Sequence, residues 1–140
     1  MSQNKPIILL DPYPRTMDLL FSKENLNYLK KNFKLITAPN KNKNNFYEKN
    51  LPKADYIFGQ PNLPSSLISK STKLKAIFNV ESNFMDNMDY DYCFRKGIHV
   101  LATSPVFAQP VAEMAMGLTL SIARSIHIAH SDFISKKEKY

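Results

Sequence analysis

Apolar positions along this chain fall into short unbroken runs set between polar stretches. Ile7, Ile8, Leu9 and Leu10 make the first run, closed by Asp11 and Pro12. A run of that length reads as a strand buried on both faces, the kind a parallel sheet uses. The next stretch has a different rhythm. Met17, Leu20, Phe21, Leu29 and Phe33 recur near helical spacing with Lys and Glu between them, which predicts one amphipathic helix over residues 16–33. Residues 34–37 predict a short second strand, and residues 40–50 a polar loop with room for a turn of helix. Residues 54–59 predict a third strand that ends on Gly59, Gln60 and Pro61. Pro64 with Ser65 and Ser66 opens a short helix. Residues 74–80 give a fourth strand, and a polar loop over residues 81–87 follows. Asp89 is placed to cap a helix over residues 90–96 that Gly97 ends, and residues 98–102 give a fifth strand. A long apolar helix then begins near Gln109 or Pro110 and runs past His127.

Strands and helices alternate, with connections too long for hairpins. The expected fold is α/β: a flavodoxin-like, five-stranded parallel sheet with helices on both faces, followed by the long helix. Ligands of such sheets gather at the carboxyl ends of the strands. Here those ends carry Asp11 and Pro12, Gly59 and Gln60, residues 81–86, and Thr103 with Ser104. The prolines between Ser104 and Pro110 mark the domain boundary, which divides the chain into residues 1–104 and 105–140.

The last helix is apolar nearly all round, through Met114, Met116, Leu118, Leu120, Ile122 and Ile126. A five-stranded sheet covers one side of such a helix. The other side needs a further domain or chain. Glu113 and Arg124 leave only ten uncharged residues between them, about half of what a bilayer needs, so no membrane partner is expected.

Composition changes this picture little. The 140 residues, 44% hydrophobic and 22% charged, suit one ordinary globular domain. Only 3 glycines occur, which argues against a fold built on a Gly-rich phosphate loop. The single cysteine, Cys93, excludes a disulfide framework and fits a reducing, cytoplasmic setting. The apolar run near the amino terminus is four residues, too short for a signal-peptide core. The net charge of +7 raises nucleic acid as a partner. Residues 1–75 carry 13 cations and 5 anions, and residues 76–140 carry 6 and 7, so the whole excess lies in the first half. Arginines are few there, and base readers favour the guanidinium fork. Solvated lysine faces account for the charge, and no nucleic-acid partner is expected.

Candidate chemistry is sparse. His127 and His130 stand three apart, with no third metal ligand near in sequence, so no metal site is expected. Cys93 has no adjacent base and reads as a core thiol. Glu113 suits the first turn of its helix through the helix dipole. A flavin phosphate needs loop amides after the first strand, but the loop there is Pro12-Tyr13-Pro14-Arg15. A phosphoacceptor site needs Asp at the end of the third strand, whereas Asp55 stands at its start. The loop that follows the fourth strand is the most informative segment. Its amides at Ser82, Asn83 and Phe84 converge on an anion in one reading and make a plain strand-to-helix turn in the other.

An ordered set of motifs narrows the choice. Residues 54–59 (ADYIFG) come first, then LKAI at 74–77, then Asp86-Asn87-Met88-Asp89. Arg95-Lys96-Gly97-Ile98-His99-Val100 and Val111-Ala112-Glu113 follow. In order and spacing this set resembles the D-isomer-specific 2-hydroxyacid dehydrogenases, with their D-N-x-D, R-x-G-I-x-V and V-A-E patterns. The resemblance implies a first, substrate-binding domain plus the helix that connects it to a Rossmann domain binding NAD or NADP. It implies a small 2-hydroxy or 2-oxo acid as substrate, and a homodimer through the helix from Pro110 to Ile128. Asn83 and Phe84 match positions that meet the substrate carboxylate, although the family's glycines there are replaced. Gln60 is expected to line the cleft as a substrate-binding residue. Ala108 and Val111 match cofactor-binding positions near the nicotinamide. The family's GxGxxG, substrate-binding arginine and Glu–His acid/base pair have no counterpart here, so no catalytic residue is assigned. This chain by itself is expected to be an inactive part of an oxidoreductase acting on CH–OH groups. A stand-alone, non-catalytic α/β binding or dimerisation module is the alternative from a different class.

Overall fold

The computed structural model describes residues 5–81 and 83–137. Residues up to Thr103 form one compact unit, and residues from Ser104 form another.

The first unit is a five-stranded parallel sheet: β1 Ile7–Asp11, β2 Lys34–Thr37, β3 Tyr56–Gly59, β4 Ala76–Phe78 and β5 His99–Leu101, in the order β2-β1-β3-β4-β5. That is the flavodoxin order expected from the alternating pattern. The register aligns Leu9, Ile57, Ile77 and Val100 across four strands. These four enter the buried core with residues of α3 Lys43–Asn50, the 3-10 turn Leu51–Lys53, α4 Ser65–Ile68 and α5 Tyr90–Arg95. Tyr47, Leu51, Leu63, Ile68 and Cys93 complete that layer.

The other face of the sheet is covered less. Ile8, Leu10, Tyr56, Phe58 and Phe78 line an apolar groove of about 380 Å³ with Phe21, Leu29 and Phe33. The rings touch in sequence: Phe21 lies 4.9 Å from Phe58, and Phe58 lies 6.1 Å from Phe78.

Three local expectations change. Residues 16–33 form two helices, α1 Met17–Leu20 and α2 Lys23–Asn32. Ser22 breaks them apart, because its hydroxyl accepts from the Asn25 N–H at 3.2 Å and caps α2. Residues expected as a polar loop form α3, whose Tyr47 is 1% exposed. The long helix is two: α6 Ser104–Ala123 and α7 Ile126–Ile134, broken where Ser125 takes a left-handed φ of 52°. It starts at Ser104 because Pro105 fits a first helical turn, while Pro110 lies within the helix. No residue of α6 or α7 is buried. α6 has the length and mean hydropathy of a membrane-crossing helix, a test that helices of soluble proteins also pass. Glu113 near its midpoint would cost about 3 kcal/mol in a bilayer centre.

The amino edge of the sheet is tied by Asp55. Its carboxylate accepts from the Ile7 N–H at 2.8 Å and pairs with Lys73 at 3.1 Å. Burial pushes its pKa up, but the Ile7 amide, Lys73 and the charge of Lys75 outweigh burial and hold it below the usual carboxylate range. A folded-state pKa below the unfolded one gives stability that is present above the unfolded value. That stability is lost as pH falls through the folded one. The urea midpoint of the chain is therefore expected to fall below about pH 4, and Asp55→Asn to flatten that fall. An unchanged acid slope in the variant would assign the fall to other carboxylates.

Candidate functional site

The carboxyl edge of the sheet gathers the loops that follow β1, β3 and β4. At the end of β1, Asp11 is 4% exposed. It accepts from Lys43 Nζ at 2.7 Å and from the Tyr47 hydroxyl at 3.0 Å. Those two side chains stand one helical turn apart on α3, so α3 is clasped to the sheet edge. Burial, and then the neighbouring Asp11 carboxylate, push the Tyr47 phenol far above its usual range, so it stays a neutral donor. A buried carboxylate held by a cation and a hydroxyl is a satisfied structural group.

The segment after β4 is stitched on both flanks. Gln60, the residue after β3, accepts from the Glu81 N–H through Oε1 at 3.1 Å and donates from Nε2 to the Asn83 carbonyl at 3.1 Å. On the far flank, the Tyr90 hydroxyl lies 2.6 Å from the Met85 carbonyl. The Phe84 ring meets Tyr90 edge-on at 5.5 Å and stays 56% exposed. Glu81 would place a negative charge beside any anion here. Arg15, from the loop after β1, neutralises it with Nε at 3.0 Å and a second nitrogen at 3.4 Å. Ser82, one of the three expected anion-binding amides, lies outside the described residues.

Below the loop, the backbone of Leu63 bridges Met88 in parallel: Leu63 N donates to Asn87 O at 2.7 Å, and Asp89 N donates to Leu63 O at 3.2 Å. Asn87 adds a bond to the Pro61 carbonyl at 2.6 Å. Asp89 accepts from the Tyr92 N–H at 2.8 Å and from the Ser65 hydroxyl. Bonds from Ser65 and from that amide depress its pKa, which fixes it as the charged cap of α5. Burial, and then Asp89, push the Cys93 thiol up, so it is a core group with little thiolate character. Asn79, 2% exposed, directly follows β4, and neither atom of its side-chain amide has a partner among the described residues.

The structure therefore brings Gln60 and Asn83 into contact and sets Phe84 beside them. Ala108 and Val111 lie on α6 in the second unit, with Val111 64% exposed. His127 and His130 lie on α7, and no group of three metal-ligating side chains converges among the described residues.

Residues 15–137 match the sequence pattern of the D-isomer specific 2-hydroxyacid dehydrogenase, catalytic domain. The chain belongs to this family. Among solved structures, a phosphoglycerate oxidoreductase from Rhizobium etli is similar over 96% of this chain at 38% identity, with a TM-score of 0.76. The NADPH-dependent glyoxylate/hydroxypyruvate reductase of Sinorhizobium meliloti, solved with NADP and malonate, shares the fold at 20% identity and TM-score 0.59 over 95% of this chain. The D-lactate dehydrogenase of Aquifex aeolicus, solved with NAD and lactic acid, does so at 22% identity and TM-score 0.52 over 96%. This chain spans 41%, 39% and 38% of those three chains. No curated protein matches it by sequence.

As a 2-hydroxyacid dehydrogenase catalytic domain, the chain shows what the D-N-x-D motif does physically. Asn87, through Pro61 and Leu63, and the Asp89 N–H, through Leu63, anchor the loop base to the segment that follows β3, and Met88 fills the core between them. The nicotinamide dinucleotides held by the last two of these relatives make a different demand. A dinucleotide needs amides for its pyrophosphate, and the turn after β1 offers Pro12 and Pro14, which have none. Gly97 terminates α5 and Gly117 lies inside α6, so neither builds a phosphate loop. These residues do not make a dinucleotide site. Ala108 and Val111 offer only apolar surface.

Proposed function

We propose that this chain is the substrate-holding part of an NAD(P)-dependent oxidoreductase acting on small 2-hydroxy or 2-oxo acids. Asn83 and Phe84 grip the acid's carboxylate through the loop after β4, and Gln60 belongs to the same edge. What carries this reading is that loop, fastened on both flanks at the carboxyl edge of a parallel sheet, in a chain of this family. Residues 1–104 act as the substrate domain, and residues 105–140, with α6 and α7, as a connection that leads toward a cofactor domain. Ala108 and Val111 contribute a flank to the nicotinamide end. Residues 110–128, most of α6 and the start of α7, join two copies, and the protein works in the cytoplasm. Hydride transfer needs a cofactor platform and an acid/base group at the carbonyl oxygen, and this reading gives neither to the chain.

The test is a titration of the 140-residue chain with lactate and with lactamide, which lacks the carboxylate. Lactate is expected to shift amide resonances of residues 81–87 saturably, and lactamide to leave them in place. The same protein mixed with NAD and lactate is expected to form no NADH. Equal responses to the two compounds would remove the carboxylate grip. NADH formation would show a complete catalyst.

A further inference from the structure

We infer that Gln60 is a positioning residue, which turns the Phe84 N–H toward the carboxylate and makes no bond to the acid itself. The inference rests on the reading of the loop as the carboxylate grip.

Gln60 follows Gly59, the last residue of β3, so its backbone is fixed to the sheet. Both ends of its amide are engaged, one by the Glu81 N–H and the other by the Asn83 carbonyl. A primary amide carries acceptor and donor on one rigid plane, so the two bonds fix each other's direction. The second bond also orients a peptide. In a trans peptide the carbonyl and the following N–H point in opposite directions. The Asn83 carbonyl faces Gln60, so the Phe84 N–H faces away from Gln60. The Phe84 ring resting on Tyr90, and the Tyr90 hydroxyl at the Met85 carbonyl, hold the next link of chain from the other side. With both flanks held, the 83–84 peptide keeps one orientation. Loss of the Gln60 donor frees it to rotate.

Gln60→Glu is the sharpest probe. It is nearly isosteric and still accepts from the Glu81 N–H, but it sets a carboxylate against the Asn83 carbonyl and adds a charge near Glu81. Gln60→Leu removes both bonds without adding charge. Each variant of the 140-residue chain is titrated with glyoxylate while the Phe84 amide resonance and the thermal midpoint are followed. The native chain is expected to show a saturable Phe84 shift. Both variants are expected to melt close to the native chain, to show a displaced Phe84 amide signal before any ligand is added, and to bind glyoxylate about tenfold more weakly, the loss of one charge-assisted hydrogen bond. A purely structural role would move the melting point and leave the amide signal and affinity of the folded protein alone. Native-like affinity in both variants overturns the role of Gln60 and leaves the carboxylate grip standing. A native chain whose Phe84 resonance ignores glyoxylate overturns the grip, and Gln60's role with it. If neither variant folds, Gln60 is a fold determinant and the inference fails on that ground.

Discussion

Gly59→Ala is expected to destabilise the first unit by about 3–5 kcal/mol, a large share of the roughly 5–15 kcal/mol that holds an ordinary domain folded. Two causes act together. Gly59 has a φ of +151°, a conformation that L side chains rarely adopt. A Cβ there would also collide with the Asp11 carbonyl, its oxygen being the nearest atom and its carbon 2.7 Å away. Both neighbours are backbone of paired strands, so neither can swing aside. The other glycines supply the contrast. Gly97 has a φ of +69° but open space around it, so alanine there should cost only about 1 kcal/mol. Gly117 sits inside α6 with no atom within 4 Å of the added group, and alanine there should stabilise the helix by about 0.5–1 kcal/mol. Urea unfolding of the three variants checks the ranking. A Gly59→Ala protein as stable as the native one would mean that the close packing of β1 and β3 at this point is wrong.

The second large effect is association. Val111, Met114, Leu118 and Ile122 form one stripe along α6, and each is more than half exposed: 64%, 65%, 57% and 70%. Burying such a side chain gains about 1.5–3 kcal/mol. Two copies covering that stripe would gain on the order of 10–20 kcal/mol before the cost of association, roughly 4–15 kcal/mol. The middle of these ranges leaves about 5 kcal/mol net, which favours association at about 0.1 mM. Sedimentation of the chain is expected to show at least two copies per particle. Leu118→Lys with Ile122→Glu is expected to release monomers without lowering the urea midpoint of the first unit. A native chain that stays monomeric up to high concentration would contradict this.

Much of the first unit could be read from local pattern. An unbroken apolar run marked β1, and Asp89 with Gly97 bracketed α5 closely. The sheet order followed from alternation of strand and helix. What escaped depends on partners distant in the chain. Asn-rich residues 43–50 have poor helical character of their own. They form α3 because Lys43 and Tyr47 reach Asp11, 32 and 36 residues away. The apolar character of α6 was plain in the sequence, while its start was misplaced because Pro110 looked like a first-turn residue and Pro105 was the one in use. At the loop, family motifs drew attention to Asn83 and Phe84. The two hydrogen bonds of the Gln60 amide span 21 and 23 residues and leave no periodic trace.

A segment fastened in this manner has little left to rearrange when a small molecule arrives. The entropy of shaping residues 83–87 is spent during folding and not at each encounter. Capture of an acid would then be governed by diffusion to the rim, and differences among acids would appear as differences in how long each one stays.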